Sequence, residues 1–167
     1  MTTSTRIMTL VMAAAIGLIA SGLGTLSASA ESGNGALVVL GPTYRACDFS
    51  QVHYVSATGD GSATAVIGTG GTNTVTADVF LMIGIPNTPY QVRLIQGPRP
   101  GTEMCNAGAP GVASAVLNTD GNGVGRVTLH DALRSGATNA WVFLEGPPKV
   151  GQIRGDFYTS DLLTSLT

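Results

Sequence analysis

The chain has 167 residues, with 8 basic and 10 acidic side chains and only 11% charged residues, a size that fits one domain and excludes a large multidomain enzyme. Without residues 1–30, seven bases face ten acids and no basic block remains. Nucleic acid is therefore not expected as a partner.

Residues 1–30 have the pattern of a secretory signal peptide. Arg6 precedes an uncharged apolar run, Ile7–Leu26, and the segment closes with Ala28, Ser29 and Ala30, an A-x-A cleavage signal. The alternative is an uncleaved anchor, because the stretch could span a bilayer, and this segment would then be the sole membrane contact. We predict cleavage, which leaves residues 31–167 as a single domain secreted to the cell wall or the extracellular space.

Two cysteines, Cys47 and Cys105, remain in the predicted mature chain. An oxidising compartment and an even count favour one structural disulfide between them. Free or redox-active thiols are the alternative, but a redox pair more often has C-x-x-C spacing.

Short β-branched runs separated by Gly, Pro, Asn and Asp recur after residue 35. We predict nine strands: Ala36–Leu40, Gln51–Ala57, Ala63–Ile67, Thr74–Ile85, Tyr90–Ile95, Val112–Leu117, Gly125–His130, Ala140–Leu144 and Ile153–Thr159. One helical turn is expected at Asp131–Ser135, ended by Gly136. The pattern predicts an all-β fold, a single antiparallel β-sandwich of eight to nine strands with one disulfide.

Two of these strands are apolar on both faces. Phe80 and Met82 continue the polar face of the longest strand, whereas Trp141 and Phe143 lie opposite apolar neighbours. These four side chains form the candidate ligand or partner patch. One hypothesis is that the C-terminal tail covers them with Leu162, Leu163 and Leu166; the other is that they stay exposed for a ligand.

A catalytic site is not evident. His53 and His130 are the only histidines, there is no G-x-S-x-G motif, and neither a phosphate-binding loop nor a zinc ligand set can be assembled. No catalytic residue, cofactor or metal is predicted. A carboxylate pair for glycoside hydrolysis could still be present, because such a pair is recognised by geometry.

A calcium loop is the strongest metal candidate. The segment from Asn118 to Gly123 places oxygen-bearing side chains at alternate positions, as a calcium loop begins. Counted from Asn118, however, the twelfth position holds Leu129 instead of a bidentate carboxylate. We interpret the segment as a tight hairpin turn.

Two resemblances follow from these residues. The alanine-rich export signal, the Gly/Thr-rich β domain and the single Cys pair resemble small exported proteins of actinobacteria, of the mycobacterial type. Leu133–Gly136, Ala140–Leu144 and Gly151–Gly155 are similar to the end of the chordin-type CHRD repeat, a secreted β module. The resemblance implies a secreted β-sandwich.

The expected function is a non-enzymatic binding or structural module of the cell envelope or the extracellular space. Its partner would be a protein or an envelope component whose identity the sequence leaves open. The alternatives are a secreted hydrolase with a carboxylate site and a carrier of an apolar ligand.

Overall fold

The computed structural model describes residues 34–55, 58–70 and 73–167, so the predicted signal peptide at 1–30 lies outside the described residues. These ranges contain no helix. Their nine strands are β1 (Asn34–Gly41), β2 (Ser62–Gly70), β3 (Thr74–Met82), β4 (Pro89–Gly97), β5 (Val112–Asn118), β6 (Gly125–Ala132), β7 (Asn139–Glu145), β8 (Phe157–Ser160) and β9 (Thr164–Ser165).

All nine strands belong to one antiparallel sheet. The order across the sheet is β5-β4-β7-β8-β1-β2-β3-β6, and β9 pairs with β7 beyond the end of β8. The edge strands β5 and β6 follow each other in the chain and are joined by a short turn, which holds them side by side. Within the described chain no hydrogen-bonded ladder links these two strands. The sheet is therefore nearly, but not fully, closed into a barrel.

The predicted two-sheet sandwich is not confirmed. The all-β class and the antiparallel pairing are as predicted, but the strands curl as one barrel-like sheet. The nine described strands include β9, which was not predicted, and lack the strand predicted at Gln51–Ala57. The reason for the error is that alternating apolar and polar residues indicate which face of a strand is buried. They do not indicate whether the buried face meets a second sheet or the inside of a curled one.

The interior of the barrel is filled by alternate side chains of its strands. On β3 the residues facing inward are Val75, Ala77, Val79 and Leu81, each fully buried as the sequence alternation predicts. Large side chains from the other half of the sheet, such as Leu94 and Leu144, fill the same core. The interior is therefore a packed core of the kind that stabilises small barrels.

Buried Gln96 fastens one end of the barrel. Its Nε2 donates to Asp131 Oδ2 at 2.8 Å and to the carbonyl of Ala132 at 3.0 Å, and its Oε1 accepts from the N–H of Arg134 at 2.8 Å. The side chain begins on β4 and its partners lie at and just after the end of β6. It thus ties together the two sides of the seam between β5 and β6.

Four predicted elements differ from the structure. Residues 51–55 form turns with a single β-bridge from Gln51 to Arg45, where we predicted a strand, and residues 56 and 57 lie outside the described ranges. The strand predicted to end at Ile85 ends at Met82, because Ile83 has a φ of 57°. The last long strand begins at Phe157. Finally, the predicted helical turn is absent, since Asp131 and Ala132 complete β6.

A second apolar cluster lies on the outer face of the barrel. It contains Ile95, Val112, Trp141, Phe143 and Phe157, which point outward from β4, β5, β7 and β8. Two loops cover it, residues 42–55 and residues 98–111, and the Cys47–Cys105 disulfide joins them with a Cα–Cα distance of 5.5 Å. The predicted disulfide therefore holds the two covering loops together.

The hypothesis that the C-terminal tail covers the aromatic residues does not hold for Leu162 and Leu166, whereas Leu163 lines a small cavity beside Trp141. Leu162 and Leu163 are exposed, at 70% and 43%, and Leu166 is buried in the barrel core instead of the outer cluster. Trp141 and Phe143 are covered by Tyr44, Cys47 and Phe49 of the first loop. The tail runs along β7 as β9, and this pairing turns Leu166 inward.

Candidate functional site

A cleft of about 270 Å³ opens beside the disulfide, between the two covering loops and the outer face of β4 and β7. We call it the aromatic cleft. Its wall combines aromatic rings, two guanidinium groups and the disulfide: Tyr44, Arg45, Ala46, Cys47, Val52, Tyr54, Arg93, Gly101, Cys105, Asn106, Trp141 and Phe143. A concave wall with aromatic rings and a few fixed polar groups is typical of a small-molecule site.

Arg93 forms the polar base of the aromatic cleft. Its guanidinium carbon lies 4.2 Å from the centroid of the Phe143 ring, and its Nη1 donates to the carbonyl of Cys105 at 3.3 Å. Its Nη2 lies 3.6 Å from Glu145 Oε2. Burial lowers the pKa of Arg93, an effect that the Glu145 carboxylate opposes. The group remains a guanidinium cation, because arginine stays protonated in proteins.

Tyr44 contacts two phenylalanine rings and one guanidinium group. Its ring meets Phe143 and Phe157 edge-on, with centroid distances of 5.5 and 5.3 Å, and the guanidinium carbon of Arg154 lies 4.3 Å from its centroid. Arg154 also lies 3.4 Å from Glu145 Oε1. Glu145 therefore pairs with both Arg93 of the cleft and Arg154 beside it, which leaves one positive charge in excess among these three residues.

Arg45 adds a third cation, which is held by the backbone. It donates from Nε to the carbonyl of Ser160 at 3.0 Å and from Nη1 to the carbonyl of Phe49 at 3.1 Å. Its side chain thus fastens the first covering loop to the end of β8. Burial lowers the pKa of Arg45, and the Asp161 carboxylate opposes this shift.

A shallower groove of about 420 Å³ continues from the far side of Tyr54. It is lined by Tyr54, Val55, Thr58, Gly151, Gln152, Ile153 and Arg154. Tyr54 lines both spaces and is 90% exposed, and Ile153 is 96% exposed. The cleft and the groove thus form one elongated surface whose groove end is more apolar.

The four residues predicted as one patch form two separate pairs. Trp141 and Phe143 on β7 are buried under the loops, at 1% and 2% exposure. Phe80 and Met82 lie on β3, and β8, β1 and β2 separate that strand from β7 in the sheet. Phe80 is half-buried under the guanidinium of Arg126, 5.2 Å from its centroid, and Met82 is 41% exposed.

Apart from the two cysteines, none of the other residues singled out from the sequence lines the cleft. His53 is exposed on the first covering loop, and His130 is exposed on β6. In the segment from Asn118 to Gly123, Asp120 Oδ1 accepts from the N–H groups of Asn122 and Val124 at 2.8 and 3.0 Å, the geometry of a tight turn. These two bonds lower the pKa of Asp120. Among the described residues, no group of three His, Cys, Asp or Glu side chains is placed to hold a metal ion.

Sequence reasoning missed the residues that line the cleft and the groove. Arg93, Tyr44 and Tyr54 belong to no recognised motif, and Arg154 lies in the Gly151–Gly155 segment, whose resemblance implied no binding role. Three of these four residues lie in loops or at loop ends. One signal was available. Tyr44 and Tyr54 lie on either side of Cys47, so the predicted disulfide to Cys105 implied that this aromatic segment is held against another part of the fold.

No family model matches the chain, and no curated protein or solved structure matches it significantly. No helix within the described ranges is long and apolar enough to cross a membrane.

Proposed function

We propose that the protein is an exported, non-enzymatic binding module, and that it takes an anionic, ring-shaped small ligand, such as an acidic sugar of an extracellular polysaccharide, in the aromatic cleft. The observation that carries this proposal is that Arg93 and Arg154 share the single carboxylate of Glu145 beside the ring of Tyr44. A ligand carboxylate would balance the extra cation, and a sugar or aromatic ring would pack against the tyrosine.

The location of the cations supports an anionic ligand over a neutral one. Arg93 is largely buried, with 16% of its side chain exposed, whereas Arg154 is 44% exposed and can reorient toward a ligand. A charge-assisted bond from Arg154 to a ligand carboxylate would form next to a low-dielectric aromatic wall, where it is stronger than in water.

The state of the carboxylates favours binding over hydrolysis. Glu145 is held by two arginines, and Asp156 by Lys149 and the hydroxyl of Thr58. Glu103 is likewise held by Arg99 and Arg134. A glycosidase needs one carboxyl group to act as an acid and another to act as a base or nucleophile, whereas each of these three carboxylates is engaged by cations of the protein itself. The packed interior offers less support to the alternative of an apolar carrier.

Calorimetric titration with digalacturonate, an acidic disaccharide, tests the proposal. We expect saturable binding that weakens as salt is raised, and no binding of the neutral disaccharide maltose. Benzoate serves as a third probe, because it shares the ring and the charge but lacks the sugar hydroxyls. Absence of binding for both anions would contradict the proposal.

A matched pair of variants locates the interaction. Arg154→Gln removes the exposed cation that contacts Tyr44 at the edge of the cleft and lines the adjoining groove, and should weaken digalacturonate binding about tenfold. Arg126→Gln removes an equivalent cation that lies over Phe80 on the other part of the sheet, so it should leave the affinity unchanged. Equal losses in both variants would show nonspecific attraction to positive charge and contradict a site in the cleft.

A further inference from the structure

Within the described part of the chain, the N-terminal half of β1 has an unpaired edge. β1 pairs with β2 along its whole length, from Asn34 opposite Thr69 to Leu40 opposite Ala63. On its other side, the ladder with β8 contains only Leu40 and Gly41, and one further bond joins the N–H of Asp161 to the carbonyl of Val39 at 2.9 Å. The chain after Asp161 leaves this edge, because residues 164 and 165 pair with β7 instead.

The direction of the free backbone groups follows from the bond at Val39. Successive residues of a strand direct their N–H and C=O groups to opposite sides, so Gly35 and Leu37 point to the same side as Val39. Neither residue has a hydrogen-bond partner on that side within the described part of the chain. Among the described residues, two donors and two acceptors in a row are thus without a partner at this edge.

The same segment is exposed and carries no protection against strand pairing. Leu37 and Val39 are 71% and 56% exposed on the outer face of the sheet. Ala36 lies two residues before buried Val38, on the side of β1 that faces inward, but it is exposed. This end of β1 therefore extends beyond the barrel. Natural edge strands usually carry a charge, a proline or a bulge that prevents pairing. Residues 34–41 contain neither a charged residue nor proline.

We propose that this edge pairs with β1 of a second copy of the chain, antiparallel and around a two-fold axis at Ala36. In that register Gly35 of each copy lies opposite Leu37 of the other, and these two pairs exchange four backbone hydrogen bonds. Ala36 meets its own counterpart at the narrow, non-hydrogen-bonded position, where neighbouring Cα atoms approach to about 4.5 Å and a small side chain fits.

The side chains favour a second copy over an unrelated strand. Leu37 of one copy extends over Gly35 of the other, which has no side chain to obstruct it, and the symmetry repeats this contact. The outer faces of both sheets then become continuous through Leu37 and Val39. Because the contact is short, it buries less than the standard interface of about 1,600 Å², so the dimer forms in a concentration-dependent equilibrium.

Sedimentation velocity of the unreduced protein over a wide range of concentration tests the proposal. We expect a reversible shift from monomer to dimer. Leu37→Lys should weaken dimerisation at least tenfold, because it brings two like charges together near the axis. Val66→Lys is the matched control, since Val66 is the cross-strand neighbour of Leu37 on the same outer face but lies on β2, both of whose edges are paired. It should dimerise as the wild type does.

Amide hydrogen exchange gives a second readout. Protection of the Leu37 and Gly35 amides should rise with protein concentration, while that of residues in the core of β3 stays constant. A protein that remains monomeric at every concentration would overturn the proposal. Equal loss of dimer in the Leu37 and Val66 variants would also overturn it, because it would indicate packing of the outer faces rather than pairing of the edges.

Discussion

Cys47 and Cys105 join the two loops that cover Trp141, and the chain between them includes β2, β3 and β4. The bond closes a span of 58 positions and fixes one wall of the aromatic cleft, because both cysteines line that space. Disulfide, aromatic cover and proposed ligand site are therefore one structural unit.

Replacing both cysteines by serine should lower the free energy of unfolding by about 4 kcal/mol, the loop-closure entropy expected for a span of this size. The cover should also loosen, so the emission of Trp141, the only tryptophan, should shift to longer wavelength. Urea unfolding followed by fluorescence measures both effects. Treating the wild type with reductant should reproduce the variant; an unchanged transition in the reduced protein would contradict this role.

Gln96→Leu should destabilise the barrel by about 2–4 kcal/mol, because it leaves the N–H of Arg134, the carbonyl of Ala132 and the Asp131 carboxylate without a buried partner. Gln91→Leu is the control, since Gln91 lies on the same strand but is exposed, and its effect should stay within about 0.5 kcal/mol. Chemical denaturation compares the two. Similar losses would show that the bridge across the seam contributes little.

Leu166→Ala should cost about 2–4 kcal/mol, because this side chain fills part of the barrel core. Leu162→Ala changes the same residue type four positions earlier, where 70% of the side chain is exposed, and should leave the melting temperature nearly unchanged. Differential scanning calorimetry separates them. If Leu162→Ala were the more damaging, the tail would pack differently from the structure described.

Stability should fall between pH 10 and pH 12. Burial raises the pKa of Tyr158 from 10.0 to about 12, an effect that its bond from the N–H of Gly61 opposes. The contribution is complete below pH 10 and is lost as the pH rises toward 12, because the unfolded chain releases the proton first. The loss amounts to about 2–3 kcal/mol.

The control for this pH dependence is Tyr158→Phe, which removes the titrating hydroxyl. Burial also raises the pKa of Tyr90, so a smaller dependence of the same sign should remain in the variant. Urea unfolding at several pH values on both sides of pH 10 gives the slopes. Equal slopes in the variant and the wild type would contradict the assignment to Tyr158.

Local patterns predicted the strands well and their arrangement less well. The alternation from Val75 to Leu81 identified a core face because that information lies within one strand. The choice between sandwich and barrel depends on which strands become neighbours, such as β8 with β1, and no local pattern encodes that. The run Gln51–Ala57 has strand-like composition. Residues 51–55 nevertheless form turns, in the covering loop that the disulfide holds against the barrel.

The candidate site was predictable only in part, for a related reason. Cys47 and Cys105 were paired from their number and the expected compartment, and this placed a loop against the fold. Arg93 gave no comparable signal, because a charged residue on the outward face of a strand normally faces solvent. Its role depends on Phe143 and Glu145, which lie on the next strand of the sheet but about 50 residues later in the chain.

The most direct test of the ligand site is a two-dimensional ¹H–¹⁵N NMR titration of the unreduced protein with digalacturonate. Binding in the aromatic cleft predicts saturable shifts of the Tyr44, Tyr54 and Arg93 amides and of the Trp141 indole N–H. The amides of Met82 on β3 and His130 on β6, which are distant from the cleft in the sheet, should not change. Shifts confined to β3 and β6, or no shift at any position, would contradict the account.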